Sequence, residues 1–353
     1  MFRLATSLAV LLAAMGTPVL AADWGESWSG DSFRPGLEPK DWSGLGDTDD
    51  GITIETGVRY WYSWGSQSFE ATDQDFENRD NAHTGELHLR IDDHVSRTYA
   101  KAIIGYSAAI NGTYSDDYSP YSTISDGHIG YAGADIGWNT FGDGDGSGAG
   151  VFAGYQYWND SPRTARTDFT TATSAADVSF DPDTGEVFLP FDSADNELDI
   201  HMLRVGFSGK AKFGDMFDIS GEVAAVPYAK VNGVIGGSGF DPEFLTPLNN
   251  YSFVKSSETQ MDGWGYGAMG EVMLGITPIE NLTFRVGGRA WYLQGTADTT
   301  YTSMTLTDPS DSDAGEDPNY DTPPTVTNQG YIETANPFSL FRYGLLAEMT
   351  YSF

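Results

Sequence analysis

The feature that most constrains this chain is the alternation in residues 341–353. Phe341, Tyr343, Leu345, Ala347, Met349, Tyr351 and Phe353 take the odd positions, while Arg342, Gly344, Glu348, Thr350 and Ser352 take even ones, with Leu346 the apolar residue among them. A period of two belongs to an extended strand, whose successive side chains point to opposite faces. One face is therefore apolar and aromatic and the other polar and charged. That suits the last strand of a soluble sandwich, or a sheet with hydrocarbon against one side.

Ile52, Ile54, Val58, Tyr60, Tyr62 and Trp64 repeat the pattern against Thr53, Glu55, Gly57, Arg59 and Ser63, and eight weaker segments lie between these two. The spacing predicts long loops at 66–83, 111–125, 160–196, 231–260 and 296–337, alternating with tight turns near 96–98, 142–148, 214–215 and 277–281. A soluble sandwich has no reason to alternate loop lengths in this way. The expected fold is all-β: a transmembrane antiparallel up-and-down β-barrel of about ten strands, with short periplasmic turns and long extracellular loops. Eight or twelve strands would follow if 23–50 or 296–337 were read differently, and Tyr301-Thr302-Ser303-Met304-Thr305 suggests a hairpin in the latter.

The polar phase then lines the lumen with Glu55, Arg59, Glu86, Arg90, Lys101, Asp135, Arg204, Glu222, Glu271, Arg285, Arg289, Arg342 and Glu348. In so narrow a cylinder these groups are expected to bond across it as a polar plug of side chains and water, without a wide channel. Ile110 is read as outward on the third strand and Lys230 as inward on the seventh. A slip of phase near His201 and Met202 predicts a bulge there. Tyr62, Trp64, Trp138, Trp158, Trp264, Trp291, Tyr292 and Tyr351 are the expected aromatic girdles, although Trp158 and Trp291 fall on the lumen phase.

Arg3, an apolar run over residues 4–15 and the small residues around Ala21-Ala22 read as a secretory signal peptide at 1–22. Residues 23–50 read as an irregular periplasmic segment and 51–353 as the barrel. The ending with Tyr351 and Phe353 resembles the C-terminal assembly signal of Gram-negative outer-membrane barrels, which implies the barrel-assembly machinery as a partner, with lipid and lipopolysaccharide around the cylinder. The expected location is the outer membrane of a Gram-negative bacterium.

There is no cysteine, so disulfides and thiolate metal sites are excluded. Lys plus Arg number 18 against 51 Asp plus Glu, a net charge of −33, which excludes nucleic acid as a partner. The acidic excess sits between strand patterns, as in the rim cluster Asp73, Asp75, Glu77 and Asp80, and calls for loosely held Ca²⁺ or Mg²⁺ as counterions. Asp143, Asp145, Ser147 and Gly148 begin like a helix-loop-helix calcium loop, but the twelfth position is Gly154 where a bidentate Glu is required. No cofactor is implied.

From about residue 51 to 353 the ten-strand plan, the tall loops and Gly154-Tyr155-Gln156 after an apolar pair resemble the omptin outer-membrane proteases. The resemblance implies an acidic pair and an Asp-His pair across the barrel mouth, with water between them as nucleophile. Asp73-Gln74-Asp75-Phe76 is similar to the acidic pair, but in the first outward loop where the family uses the second. Residues 231–260 contain no histidine for the opposing pair. A base would have to come from His83 or His128. His88 and His94 could lie near the lipid boundary, where lipid-modifying hydrolases place theirs, and His201 sits at the phase slip. Each of the five also reads as a satisfied lumen or rim residue. The expected role is therefore non-enzymatic: structural, surface-interacting or narrowly porin-like. The alternative is an omptin-like surface protease or a lipid-modifying hydrolase on the same barrel.

Overall fold

The computed structural model describes residues 51–353 apart from 71–74, 117–121, 143–146, 164–168, 182–186, 193, 195, 215, 236–251 and 308–323. The expected leader and periplasmic segment lie outside the described residues. Ten long strands dominate: β1 (Ile52–Glu70), β2 (Asp75–Asp93), β3 (Thr98–Asp116), β4 (Asp126–Gly142), β5 (Gly148–Arg163), β6 (Glu197–Phe213), β7 (Phe217–Ile235), β8 (Thr259–Ile279), β9 (Leu282–Thr307) and β10 (Thr325–Ser352). Each pairs antiparallel with its neighbours in sequence, and β10 pairs with both β9 and β1. The hydrogen-bond ladder thus comes back to where it began, as a barrel-like all-β sheet. No helix among the described residues is long and apolar enough to cross a membrane, which says nothing of crossing by strands.

The alternation is inverted relative to a protein dissolved in water. Leu87, Ile136 and Leu345 are 61%, 73% and 62% exposed on the outer face, whereas the inward Arg342 is 2% exposed. Apolar groups leave water when they can, so a continuous apolar exterior over a charged interior is arranged for contact with hydrocarbon.

The strands extend further than the sequence pattern indicates. The acidic stretch read as a loop over 66–83 is the meeting of β1 and β2, paired from Ile52 opposite Asp93 to Glu70 opposite Asp75. Roughly 9–11 tilted residues cross a bilayer, and β9 and β10 contain 26 and 28. Beyond the membrane-crossing part no hydrocarbon lies against the outer face, so the apolar alternation is not required there, although Met304 and Leu306 of β9 are still buried on one side. The hairpin suggested at residues 301–305 is this projecting part of β9, paired with β10 as far as Thr307 opposite Thr325.

Two bulges correct the facing of single residues. Between β2 and β3 the pairing steps from His83 opposite Ala109 to Thr84 opposite Ser107, so Ala108 is extra and Ile110 turns inward, fully buried. On β7 one extra residue lies between Val226 and Ala229 against β8 and between Ala225 and Tyr228 against β6. That places it at Pro227, which has no N–H to give to a ladder. Beyond it Lys230 faces outward and pairs with Asp262. The bulge expected near His201 and Met202 is thus on the adjacent strand, while β6 keeps its own phase through Met202 and Arg204, both buried.

Beyond the outer strand ends, Ser252–Lys255 pairs with β9. Phe169–Thr170 pairs with Phe191–Asp192, and Ser179–Phe180 with Val187–Phe188. Ala172, Val187, Met304 and Leu306 form a small core of their own, joining the connection between β5 and β6 to the projecting part of β9. Asn328 Nδ2 donates to Thr173 O at 2.8 Å across the same seam. The Asp177 carboxylate accepts from the backbone and hydroxyl groups of Thr173 and Ser174, which holds it below the usual carboxylate range.

Candidate functional site

The interior is built in layers, because every second residue of each strand must point into it. Near the short turns Arg285 reaches Glu348 at 2.8 Å, Asp218 at 3.1 Å, Glu55 at 3.2 Å and the Thr350 hydroxyl at 3.1 Å. Arg90 lies over the Tyr99 ring at 4.0 Å and is held by both oxygens of Asp92. His88 Nδ1 is 4.0 Å from Glu55.

Above this, Arg59 bonds Glu348 and Glu271, and Arg289 bonds Glu271 at 2.8 Å and Glu86 at 2.6 Å. Opposite them Glu222 accepts from Lys101 and Arg204, with Asp135 3.6 Å from Lys101 and Gln156 2.9 Å from Arg204. These charges are buried but mutually paired, the condition under which burying an ion is tolerated. Glycine keeps the space open where side chains cross: a Cβ at Gly105 would collide with the Tyr131 ring, and one at Gly65 with the Arg342 guanidinium.

Next comes an aromatic layer. Tyr131 stacks on Trp158 at 4.7 Å, Trp291 meets Trp158 edge-on at 4.9 Å, and Trp61 packs on both Tyr131 and Trp158. Trp158 and Trp291 therefore belong to the interior and not to a girdle, 1% and 3% exposed. Their ring faces meet cations: Arg289 lies 5.0 Å from the Trp61 ring and Arg342 5.9 Å from that of Trp158. Arg342 forks onto Asp80 with two bonds of 2.8 Å, and Asp160 sits 3.5 Å away.

Towards the outer end the filling becomes aliphatic, with Ile110, Ile129, Ile200, Met202, Val231, Leu293 and Leu340 all buried. The expected all-polar plug is thus a charged network capped by aromatic and aliphatic layers. These residues sit on the inward phase of their strands, and of the aliphatic ones Val231 falls within a segment that reads as loop in the sequence. Among the described residues one cavity of about 40 Å³ lies among Arg59, Trp61, Tyr131 and Glu271, and another of about 40 Å³ at the outer end beside Phe69, Asn78 and Leu340. A single water needs roughly 10–15 Å³ on this measure, so each holds only a few small atoms.

The rim acidic cluster is divided by strand alternation. Asp73 lies outside the described residues; Asp75 is exposed at the start of β2; Glu77 faces water with Arg79 at 2.6 Å; and Asp80 points inward to Arg342. Asp143 and Asp145 also lie outside the described residues, and among the described residues no three candidate ligands converge on a metal position. The expected lumen residues Glu55, Arg59, Glu86, Arg90, Arg204, Glu222, Glu271, Arg285, Arg289, Arg342 and Glu348 are all placed in the interior. Gln156, Asp160 and Asp218 share their bonds, and of these Asp160 fell within a segment read as loop. Tyr351 and Phe353 face outward, 43% and 65% exposed, with their rings in contact.

The histidines do not converge. His83 Nδ1 bonds Tyr60 Oη at 2.6 Å on the outer surface, and His201 Nδ1 bonds Tyr155 Oη at 2.5 Å. His128 stacks on Tyr106, and His94 Nε2 bonds Thr53 Oγ1 at 2.8 Å near a short turn. Among the described residues the histidine with a carboxylate within 4.0 Å is His88, low in the barrel.

Outer membrane protease OmpT from Escherichia coli has a similar structure, with a TM-score of 0.53 over 88% of this chain and 99% of that one at 12% identity. The fold is that of an outer-membrane β-barrel. The translocator domain of autotransporter NalP from Neisseria meningitidis gives 0.31 at 10% identity, covering 84% of this chain and 88% of that one. A Pseudomonas aeruginosa FadL homologue gives 0.19 at 10% identity over 86% and 90%, values too low to add to the argument. No protein-family model and no curated protein sequence matches this chain.

Proposed function

We propose that this chain is a ten-stranded barrel in the Gram-negative outer membrane, closed between β1 and β10, with short turns in the periplasm and the acidic loops outside. It is a non-enzymatic, non-conducting anchor that displays its outer loops for structural or surface-interaction roles. Residues 1–22 serve as its export signal and 23–50 as a periplasmic segment. Lipid and lipopolysaccharide surround the outer face, and Tyr351 and Phe353 engage the barrel-assembly machinery.

The observation that carries the reading is the filling of the interior: paired charges, then stacked aromatics, then aliphatic side chains, with cavities of about 40 Å³. Ions do not cross such a layer without displacing bonded arginines or tryptophans. Reconstituted in planar bilayers, the folded protein is expected to add no current to that of the lipid alone. Stable conductance steps would instead support a narrow porin-like role.

The likeness to OmpT favours the alternative of a surface protease. That chemistry requires a histidine base near a carboxylate at the mouth, whereas His88 lies deep and His83, His128 and His201 face outward against tyrosines. The purified protein is expected to leave mixed peptides and phospholipid vesicles intact; turnover that disappears in His128→Ala would replace the anchor reading.

A further inference from the structure

The cavity at the outer end of the interior contains a polar group that the protein does not satisfy. Asn78, on β2 opposite Gln67 of β1 and Tyr114 of β3, is 3% exposed, yet neither its Oδ1 nor its Nδ2 has a hydrogen-bond partner. The polar side chains nearby are engaged elsewhere. Gln67 Nε2 donates to Asp160 Oδ2 at 2.9 Å, Ser68 and Ser339 bond each other at 2.8 Å, and Asn196 has interactions of its own. Phe69, Phe76, Ile235, Met261 and Leu340 supply apolar walls around the amide.

A buried amide without partners is destabilising, so native structures rarely leave one empty. Water alone can bond the amide and the polar groups of Gln67, Ser68 and Ser339 beside it, but it leaves the apolar walls of Phe69, Phe76, Ile235, Met261 and Leu340 uncovered. A group that accepts from Nδ2, donates to Oδ1 and carries its own apolar body satisfies both the amide and the walls. A carboxamide has three heavy atoms, which matches a cavity of about 40 Å³, and the cleft is half open, so the apolar body extends out through its open side.

We propose that this cleft binds a small neutral molecule bearing a primary carboxamide on an apolar body, with the carboxamide pairing edge to edge with Asn78. The assignment goes beyond the anchor reading and does not depend on whether the barrel conducts.

The test uses the full barrel in lipid nanodiscs, with empty nanodiscs as the control for partitioning. The probes are hexanamide and methyl pentyl ketone, which have the same shape but differ in the N–H donors. Hexanamide is expected to bind saturably and about tenfold more tightly than the ketone, the effect of one well-made hydrogen bond. Asn78→Leu, similar in shape but without the amide, is expected to bind the two equally, and Met261→Trp to fill the cleft and bind neither. Equal affinities in the unmodified protein, a preference that survives Asn78→Leu, or no saturable binding would each overturn the proposal; in the last case Asn78 holds water only. If Asn78→Leu does not reach the folded, heat-modifiable form, Met261→Trp decides, since retained hexanamide binding there would place it elsewhere.

Discussion

Arg342 shows how much of this fold depends on single buried charges. It is 2% exposed, forks onto Asp80, touches the Ser63 hydroxyl at 3.2 Å and lies beside Asp160, so one cation serves two carboxylates. Truncating it as Arg342→Met leaves two buried negative charges without a counterion, expected to cost about 3–5 kcal/mol. Urea unfolding in lipid vesicles, followed by tryptophan fluorescence, measures the loss. Adding Asp80→Leu is expected to restore part of it, because removing both partners of a buried pair is far milder than removing one. A loss below about 1 kcal/mol for the single variant, the range of a solvated surface pair, would mean that water already screens the site. The polar alternation of Arg342 is plain in the sequence. Its partner is not, because Asp80 lies 262 positions away and is placed by the ladders joining β10, β1 and β2.

At the scale of the strand, legibility followed the environment. Where hydrocarbon meets one face, as along Val58 to Trp64 or Phe341 to Phe353, the alternation is forced and the strands could be read directly. Where strands run past the hydrocarbon, as near Glu70 and Asp75 or beyond Ala297 on β9, the outer face meets water and the buried face takes polar as well as apolar residues (Asn78, Asp80, Ser303 beside Met304 and Leu306), so the alternation is lost and the residues resemble loops. Bulges also hide the facing of a residue from the sequence, since one extra residue reverses every facing after it, as at Ile110 and Lys230. The β7 bulge yields a sharp contrast. Val226 faces Gly267 and Ala229 faces Gly265 on β8, so deleting Pro227 leaves a regular ladder with every remaining facing intact. That deletion is expected to give a folded, heat-modifiable barrel with stability within about 1 kcal/mol, since only local packing changes. Deleting Gly221 instead shifts residues 217–220 by one and turns Asp218 away from Arg285, and should abolish folding or halve the heat-modifiable yield. Equal outcomes for the two deletions would contradict the bulge.

For the whole molecule the governing quantity is the net charge of −33, carried by a barrel whose inner charges are largely paired with one another. The unbalanced part is in the outer turns and loops, where carboxylates repel across water and salt screens them over about 8–10 Å. The cation they need is therefore expected to be a diffuse partner and not a ligand. Stripping divalent ions with a chelator at low ionic strength should lower the thermal unfolding midpoint. Mg²⁺ and Ca²⁺ should restore it equally, without a stoichiometric step, and NaCl should do the same at higher concentration because only ionic strength matters. A built calcium site behaves differently: its oxygen cage discriminates by size and coordination number, so Ca²⁺ would act saturably where Mg²⁺ does not, and would keep its effect in high salt. Such selectivity would point away from the outer loops to the short β4–β5 turn, where Asp143, Asp145 and Ser147 begin like a ligand loop. Equal action of the two ions would instead make the outer acidic surface a solvated brush, repelling anionic neighbours while the barrel holds it at the membrane.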